Sequence, residues 1–413
     1  MGKRWTMLFI AYLALVSCFI PYVGYSTQVT AIMDEVDINY TQAGLLASVT
    51  ALIGGIILPF VGGIVDRWGA KKIIIVGLII SAISQLVFAF MPEFTSLVFS
   101  RALAGLGVGL LFVGPYTMAI KWFEDVGNNG VALGVMFTSD GIGTAFALYL
   151  FAIILSLMGW RTGSAIGGIF LVIVLLLTIF VLKEPPSFVE EKKNANQEKL
   201  KFTDYIKVLK NRNVIVAIAF FVGEWGLYAV MAYWVPTILI EDAGWSESLA
   251  GFLTSLYVLI GVVPAIIFGF ISDRMGKRKM FIVIAGLWMT LNVILLAIAI
   301  YNGAYGLAAF IMPLIGIGVY TGMPVALAQA AESVDSNRIG VVNGIVLGVG
   351  FLVGGFAYPS LMGYIKDTTG EYTTGFLGLI AATFVLTFLV PLIGKDVKKK
   401  NGVENISDES LAN

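Results

Sequence analysis

Apolar stretches long enough to cross a membrane recur along nearly the whole chain, and this recurrence restricts the fold more than any other feature of the sequence. They lie near 5–25, 42–65, 73–91, 96–121, 130–157, 163–182, 213–240, 247–271, 280–301, 304–329, 340–364 and 373–394. A helix needs about 20 apolar residues to span a bilayer. Lipid offers no partner to backbone N–H and C=O groups, so each stretch is predicted to be a helix. Hydrophobic residues make up 58% of the chain and charged residues only 13%. That leaves too little polar surface to cover a water-exposed globule. The expected class is all-α and integral to a membrane.

Lys and Arg set the expected orientation. With twelve spans, the termini and the even-numbered loops share one side. All but three of the 26 basic residues fall there; the exceptions are Arg101, inside a span, and Arg161 and Lys366. Both termini are therefore expected in the cytoplasm, with the protein multi-pass in the cell membrane. No small-residue cleavage pattern follows the first stretch. The longest polar segment divides the chain almost in half. The expected organisation is a six-helix bundle over 1–182, a cytoplasmic linker over 183–212, a second bundle over 213–394 and a cytoplasmic tail over 395–413.

Net charge is zero, which gives no reason to expect a nucleic-acid partner. The single cysteine, Cys18, lies in an apolar run and reads as a small core residue. There are no histidines. This removes the usual metal ligand and the usual neutral-pH proton switch. Neither a metal nor a cofactor is expected, nor enzymatic activity, and any proton chemistry falls to carboxylates.

The two halves repeat. Gly62-Gly-Ile-Val-Asp66-Arg67-Trp-Gly69-Ala-Lys-Lys72 follows the second span, and Gly269-Phe-Ile-Ser-Asp273-Arg274-Met-Gly276-Lys-Arg-Lys279 follows the eighth. Gly107, Gly109 and Pro115 in the fourth span recur as Gly316, Gly318 and Pro324 in the tenth. Gly130 and Gly134 recur as Gly340 and Gly344. Internal repeats of this kind are typical of secondary transporters.

The duplicated loop, the Arg101-x-x-x-Gly105-x-Gly107 run and the duplicated architecture resemble the major facilitator superfamily across essentially residues 1–394. The resemblance implies two pseudo-symmetric six-helix bundles around a cavity lined by spans 1, 4, 7 and 10. It implies that the duplicated loops gate the cavity. The glycines would let helix ends pack closely and turn sharply. Asp66 and Asp273 would face helix N-termini, a favourable placement for a carboxylate. Arg67 and Arg274 would pair with Glu124, Asp125, Glu332 and Asp335. The alternative is that these charges only set topology, which leaves the aspartates and glycines unexplained.

Candidate cavity residues are few. Arg101 is a charge within a membrane helix and on that ground a functional candidate. It lies near the outer end of its span and could instead snorkel. Gly105–Gly109 and the glycines at 340, 344, 348, 350 and 354 read as close-packing helix seams. Asp140, with Thr144 one turn on, and Glu224, with Tyr228 one turn on, lie near mid-membrane. Glu224 is on a lining span, beside Trp225, Tyr228, Tyr233 and Trp234. Asp140 could equally be an inter-helix hydrogen-bonding group. Tyr12, Tyr116 and Tyr320 are weaker candidates, and Tyr22 and Tyr25 read as interfacial anchors.

The expected function is secondary active transport of a small-molecule solute by alternating access, driven by protons carried on Asp140 or Glu224, in a protein working as a monomer. No nucleotide-binding sequence offers ATP as the drive. Tyr233-Trp-Val-Pro236 and Gly159-Trp-Arg161 resemble organic-anion and cyanate-type branches, which implies a small organic anion. Thr138–Gly143 lacks the proline of the drug-antiporter motif, and spans 2 and 8 lack the arginines of nitrate carriers. An exporter of hydrophobic compounds is the second expectation. A sensor or channel is a third; a sensor would usually carry a sizeable soluble domain.

Overall fold

The computed structural model describes residues 2–123, 129–185, 202–334 and 338–396. These residues form twelve helices long and apolar enough to cross a membrane. They are α1 (Gly2–Val36), α2 (Tyr40–Trp68), α3 (Ala70–Phe90), α4 (Phe94–Phe123), α5 (129–158) and α6 (Trp160–Val181). A short helix, Phe202–Leu209, precedes the second set. That set is α7 (Arg212–Glu241), α8 (Glu247–Met275), α9 (Arg278–Tyr301), α10 (Tyr305–Glu332), α11 (Ile339–Thr369) and α12 (Thr373–Ile393). The spans fall within a few residues of those read from hydropathy. The exception is α1, which continues about ten residues past the expected end.

Local chemistry sets the ends. Asn39 accepts from the Gln42 N–H, and the Gln42 side chain returns a bond to the Asn39 N–H, a capping box that starts α2. Asn211 and Ser246 cap α7 and α8 by accepting from N–H groups of their first turns. Gly69 (φ 94°) and Gly276 (φ 62°) end α2 and α8, in backbone conformations that favour glycine.

Several spans are broken. α1 passes from a short helical turn, Phe19–Val23, into a tight 3₁₀ turn, Gly24–Gln28. α4 is interrupted at Phe112 and Val113, just before Pro115. α5 and α11 each carry a wide π turn, Phe146–Leu150 and Gly350–Gly354. Such turns leave backbone groups unpaired and re-aim side chains, often at functional positions.

The spans form two six-helix bundles, α1–α6 and α7–α12, which meet along two seams. α2 lies against α11, where a Cβ on Gly44 would come 2.5 Å from the Pro359 carbonyl oxygen. A Cβ on Gly55 would come 2.5 Å from the Leu352 nitrogen. α5 lies against α8, where a Cβ on Gly251 would come 2.7 Å from the Leu148 carbonyl oxygen. Small residues are what allow backbones this close. The glycines at 105, 344 and 348 serve packing as expected, with Cβ positions 2.6, 3.1 and 2.8 Å from their neighbours.

Candidate functional site

The centre of the molecule, between the bundles, is aromatic. Tyr22, at the break in α1, is its hub. Its ring stacks on Tyr228 of α7 (centroids 6.1 Å apart, planes 7° apart) and meets Phe351 of α11 at 5.2 Å. Phe112, from the break in α4, lies at 6.1 Å, and Trp225 at 6.2 Å. Tyr22 and Tyr25 were expected at an interface, but both are buried. The α1 helix runs on beyond its expected end, and so carries these residues into the interior.

Two carboxylates sit in this centre. Glu224, on the same face of α7 as Tyr228, is buried, and its Oε2 has no hydrogen-bond partner. Asp140, on α5, accepts a 2.6 Å hydrogen bond from Tyr320 Oη of α10. One turn further along α5, Thr144 Oγ1 lies 2.8 Å from Tyr228 Oη. A single face of α5 thus reaches both α10 and α7 of the opposite bundle. Three further polar groups are buried without partners: Tyr22 Oη, Trp225 Nε1 and Tyr257 Oη. Tyr257, on α8, and Phe351, on a π turn, were missed from sequence. Neither the spacing of α8 nor the π turn was visible there.

Arg101 belongs to the wall of this centre rather than to its interior. It is buried, not snorkelled. Its Nε donates to Leu46 O at 3.1 Å, Nη2 to Tyr22 O at 2.9 Å, and Nη1 to Pro21 O. The Pro21 and Tyr22 carbonyls are freed where α1 tightens into its 3₁₀ turn, and the guanidinium fork takes them up. Its plane also lies over the Tyr25 ring at 5.0 Å. Among the described residues, Arg101 is the one Lys or Arg placed away from the end of a span. Its repeat counterpart, Phe310, is exposed.

Access is one-sided. α1 is buried without interruption from Ala14 to Val29, and α7 from Phe220 to Leu239. Tyr12, Tyr116, Asp140, Met323 and Leu327 are partly exposed. All are on the half of the membrane nearer the termini. The centre is closed toward the far face, and its partly exposed side chains lie toward the face that carries the termini. Tyr233 Oη of α7 donates to Tyr22 O at 2.5 Å, and Ser360 of α11 to Ser48 of α2 at 2.8 Å. Both bonds join the bundles on the far-face side.

The duplicated loops sit at the opposite face. Gly69 and Gly276 make the expected turns. Gly62 and Gly269 do not pack closely: a Cβ on either would meet no described atom within 4 Å. Arg67 and Arg274 are exposed. Glu332 pairs with Arg278 instead of Arg274, through Nη2–Oε1 at 2.6 Å and Nε–Oε2 at 3.2 Å. Arg278 begins α9 and is buried against the end of α10, whereas Arg274 extends over the Phe270 ring. The side chains of Asp66 and Asp273, and residues Glu124, Asp125 and Asp335, lie outside the described residues.

The comparisons with known proteins agree with this architecture. The hexuronate transporter of Bacillus subtilis (strain 168) is 27% identical over 389 residues, covering 88% of this chain and 89% of that protein. The nitrite extrusion protein of the same organism is 23% identical over 391 residues, covering 93% and 94%. The crystal structure of a D-xylose-proton symporter superposes with a TM-score of 0.75 at 18% identity, covering 97% of this chain and 99% of that one. The profile of the Major Facilitator Superfamily matches residues 4–359 and 238–408. The chain therefore belongs to the Major Facilitator Superfamily and is a multi-pass membrane transporter.

Proposed function

We propose that the protein moves a small organic anion together with protons, by alternating access around the aromatic centre. The observation that carries this reading is the set of buried, unpartnered groups there. Tyr22 Oη, Trp225 Nε1 and Tyr257 Oη are donors without acceptors, and Glu224 Oε2 stands beside them without a partner. Leaving buried donors unpaired is costly. An oxyanion entering this space would satisfy them.

Among the described residues the site offers the anion no fixed positive charge of its own, because the Arg101 nitrogens donate to main-chain carbonyls. Protons on Glu224 and Asp140 would supply the missing charge balance. Solute and proton would then depend on each other for entry. Two similar proteins are named for anions, one organic (hexuronate) and one inorganic (nitrite), which supports an anionic solute.

The excess of basic residues on the terminus face supports an orientation in the cell membrane with both termini and the 183–212 segment cytoplasmic. The bundles 1–182 and 213–394 would rock about the centre within a protein that works as a monomer. The present arrangement would then be the inward-facing one.

A second reading is a proton-driven exporter of hydrophobic compounds. Two carboxylates in an aromatic box would also suit a lipophilic cation. Purified protein in lipid vesicles separates the two. Saturable uptake of small carboxylates such as hexuronates, driven by an imposed pH gradient, is the expected result. Proton-driven movement of lipophilic cations without carboxylate uptake would establish the second reading. Non-saturating flux indifferent to the pH gradient would overturn both.

A further inference from the structure

At the far face, one residue of the first bundle is held at several points by the second. Tyr40 opens α2, immediately after its Asn39 cap. Its N–H donates to Asp367 Oδ1 of α11 at 3.1 Å, and the next N–H, of Thr41, donates to Asp367 Oδ2 at 2.7 Å. The Thr41 hydroxyl donates to the same Oδ2. The Tyr40 hydroxyl donates to Glu241 Oε2, at the end of α7, at 3.0 Å. Its ring lies 6.1 Å from Trp234 and 6.3 Å from Tyr372, with Lys366 Nζ 5.6 Å from its centroid. A Cβ on Gly363 would run into the Tyr40 carbonyl.

We propose that Tyr40 and Asp367 form a latch that holds the far face shut, made when the bundles close there and broken each time they part. The first N–H groups of a helix have no partner within it. In α2 the third of these is taken by Asn39, and the first two are taken by a carboxylate of the opposite bundle. Negative charge is favoured at that helix end. Opening the far face leaves Asp367 and two N–H groups to water, and draws the Tyr40 ring out of its socket.

The latch is one-sided. In the other half of the repeat, the places of Tyr40 and Asp367 are held by Glu247 and Leu157. Leu157 is exposed and cannot accept a hydrogen bond. The α2–α11 seam therefore carries a polar lock, whereas among the described residues the α5–α8 seam carries no such lock at that level. Nothing in the latch contacts the aromatic centre's carboxylates, so it governs the balance between states and not solute recognition.

The only native cysteine, Cys18, makes a direct test simple. In a Cys18→Ala background, Ala47→Cys places a thiol beneath the latch. Ala47 is buried beside Tyr25, Val29, Tyr233 and Trp234, and becomes reachable only when the far face opens. Alkylation by a hydrophilic maleimide is followed on protein in nanodiscs, where both faces are reachable and no solute is needed. Asp367→Ala is expected to raise the labelling rate roughly tenfold, the scale of a lost hydrogen bond to a charged group. Asp367→Asn, which keeps one acceptor oxygen and the same shape, should fall between, and Tyr40→Phe should give a smaller rise. Glu247→Ala, at the repeat-related position, should leave the rate unchanged. Labelling of both folded Asp367 variants within twofold of the parent would overturn the latch. Should Asp367→Ala fail to fold, the Asp367→Asn rate alone decides. Because no transport is measured, a failed latch leaves the proposed solute and coupling untouched.

Discussion

Tyr320 of α10 donates a 2.6 Å hydrogen bond to Asp140 of α5, joining a phenol of one bundle to a carboxylate of the other near mid-membrane. The bond exists in the arrangement closed at the far face. It must change when the bundles rock, because its two ends belong to different rigid bodies.

Tyr320→Phe removes the donor of this bond and Asp140→Leu its acceptor, each with little change of shape. A hydrogen bond to a charged group is worth about 1.5–3 kcal/mol, so either variant should slow turnover roughly tenfold or more. The double variant should be little worse than the single ones, since both act on one interaction. Transport rates in vesicles across the four-member cycle check this; additive losses would show that the two residues act separately.

Glu224→Gln fixes a neutral group in the place of the buried carboxylate. Solute exchange between the two sides should persist, and accumulation driven by a pH gradient should collapse to the equilibrium ratio. Counterflow and net uptake measured side by side separate the two outcomes. Undiminished accumulation would pass the proton-carrying role to Asp140 or remove proton coupling from the mechanism.

Arg101→Ala leaves the carbonyls of Leu46 and Pro21 without their guanidinium donor, and the Tyr22 carbonyl with the Tyr233 hydroxyl alone. A loss of about 3 kcal/mol or more follows. It should appear as a lower thermal transition of the purified protein. Arg101→Lys should recover only part of it, because an ammonium cannot reproduce the fork. The residual transporter should keep its KM. A KM raised many-fold with an unchanged thermal transition would instead place Arg101 on the solute.

Gly55→Leu and Gly62→Leu should push the molecule in opposite directions, although both lie on α2. Gly55 is pressed against Leu352 of α11, and overpacking such a contact costs about 1–3 kcal/mol. Gly62 meets no described atom within 4 Å in the far-face-closed arrangement. Gly55→Leu should therefore disfavour that arrangement, and Gly62→Leu should tolerate it and disfavour the opposite one, where the motif is expected to close. Thiol labelling at an engineered Ala47→Cys should rise in the first and fall in the second. Equal shifts would remove the motif glycine from gating.

Reporter fusions at Asn413 and within the 183–212 segment should both give cytoplasmic signals. An external signal from either would overturn the proposed orientation.

The sequence by itself determined the spans, their number and the duplication, because lipid imposes helix on every long apolar run and a repeated loop needs no coordinates to be seen. It also singled out Asp140 and Glu224, since a carboxylate in an apolar run stands out without any knowledge of its neighbours. The tertiary structure alone decided what those residues meet. Tyr22 looked interfacial because hydropathy does not show that α1 continues through a 3₁₀ turn and buries it. Arg101 looked available to a solute because no sequence pattern reveals main-chain carbonyls freed by that turn, yet two of these, with Leu46 O, each take a bond from one guanidinium nitrogen. Glu332 pairs with Arg278 rather than Arg274, since the rotation of α8 and α9 about their axes chooses between arginines four residues apart. Asp367, an ordinary polar residue at the end of a span, acquires its partner only when the opposite bundle brings the exposed amides of α2 against it. Interactions within a helix follow from residue spacing; interactions between bundles follow from how two independent bodies dock, and the linear order of residues does not carry that geometry.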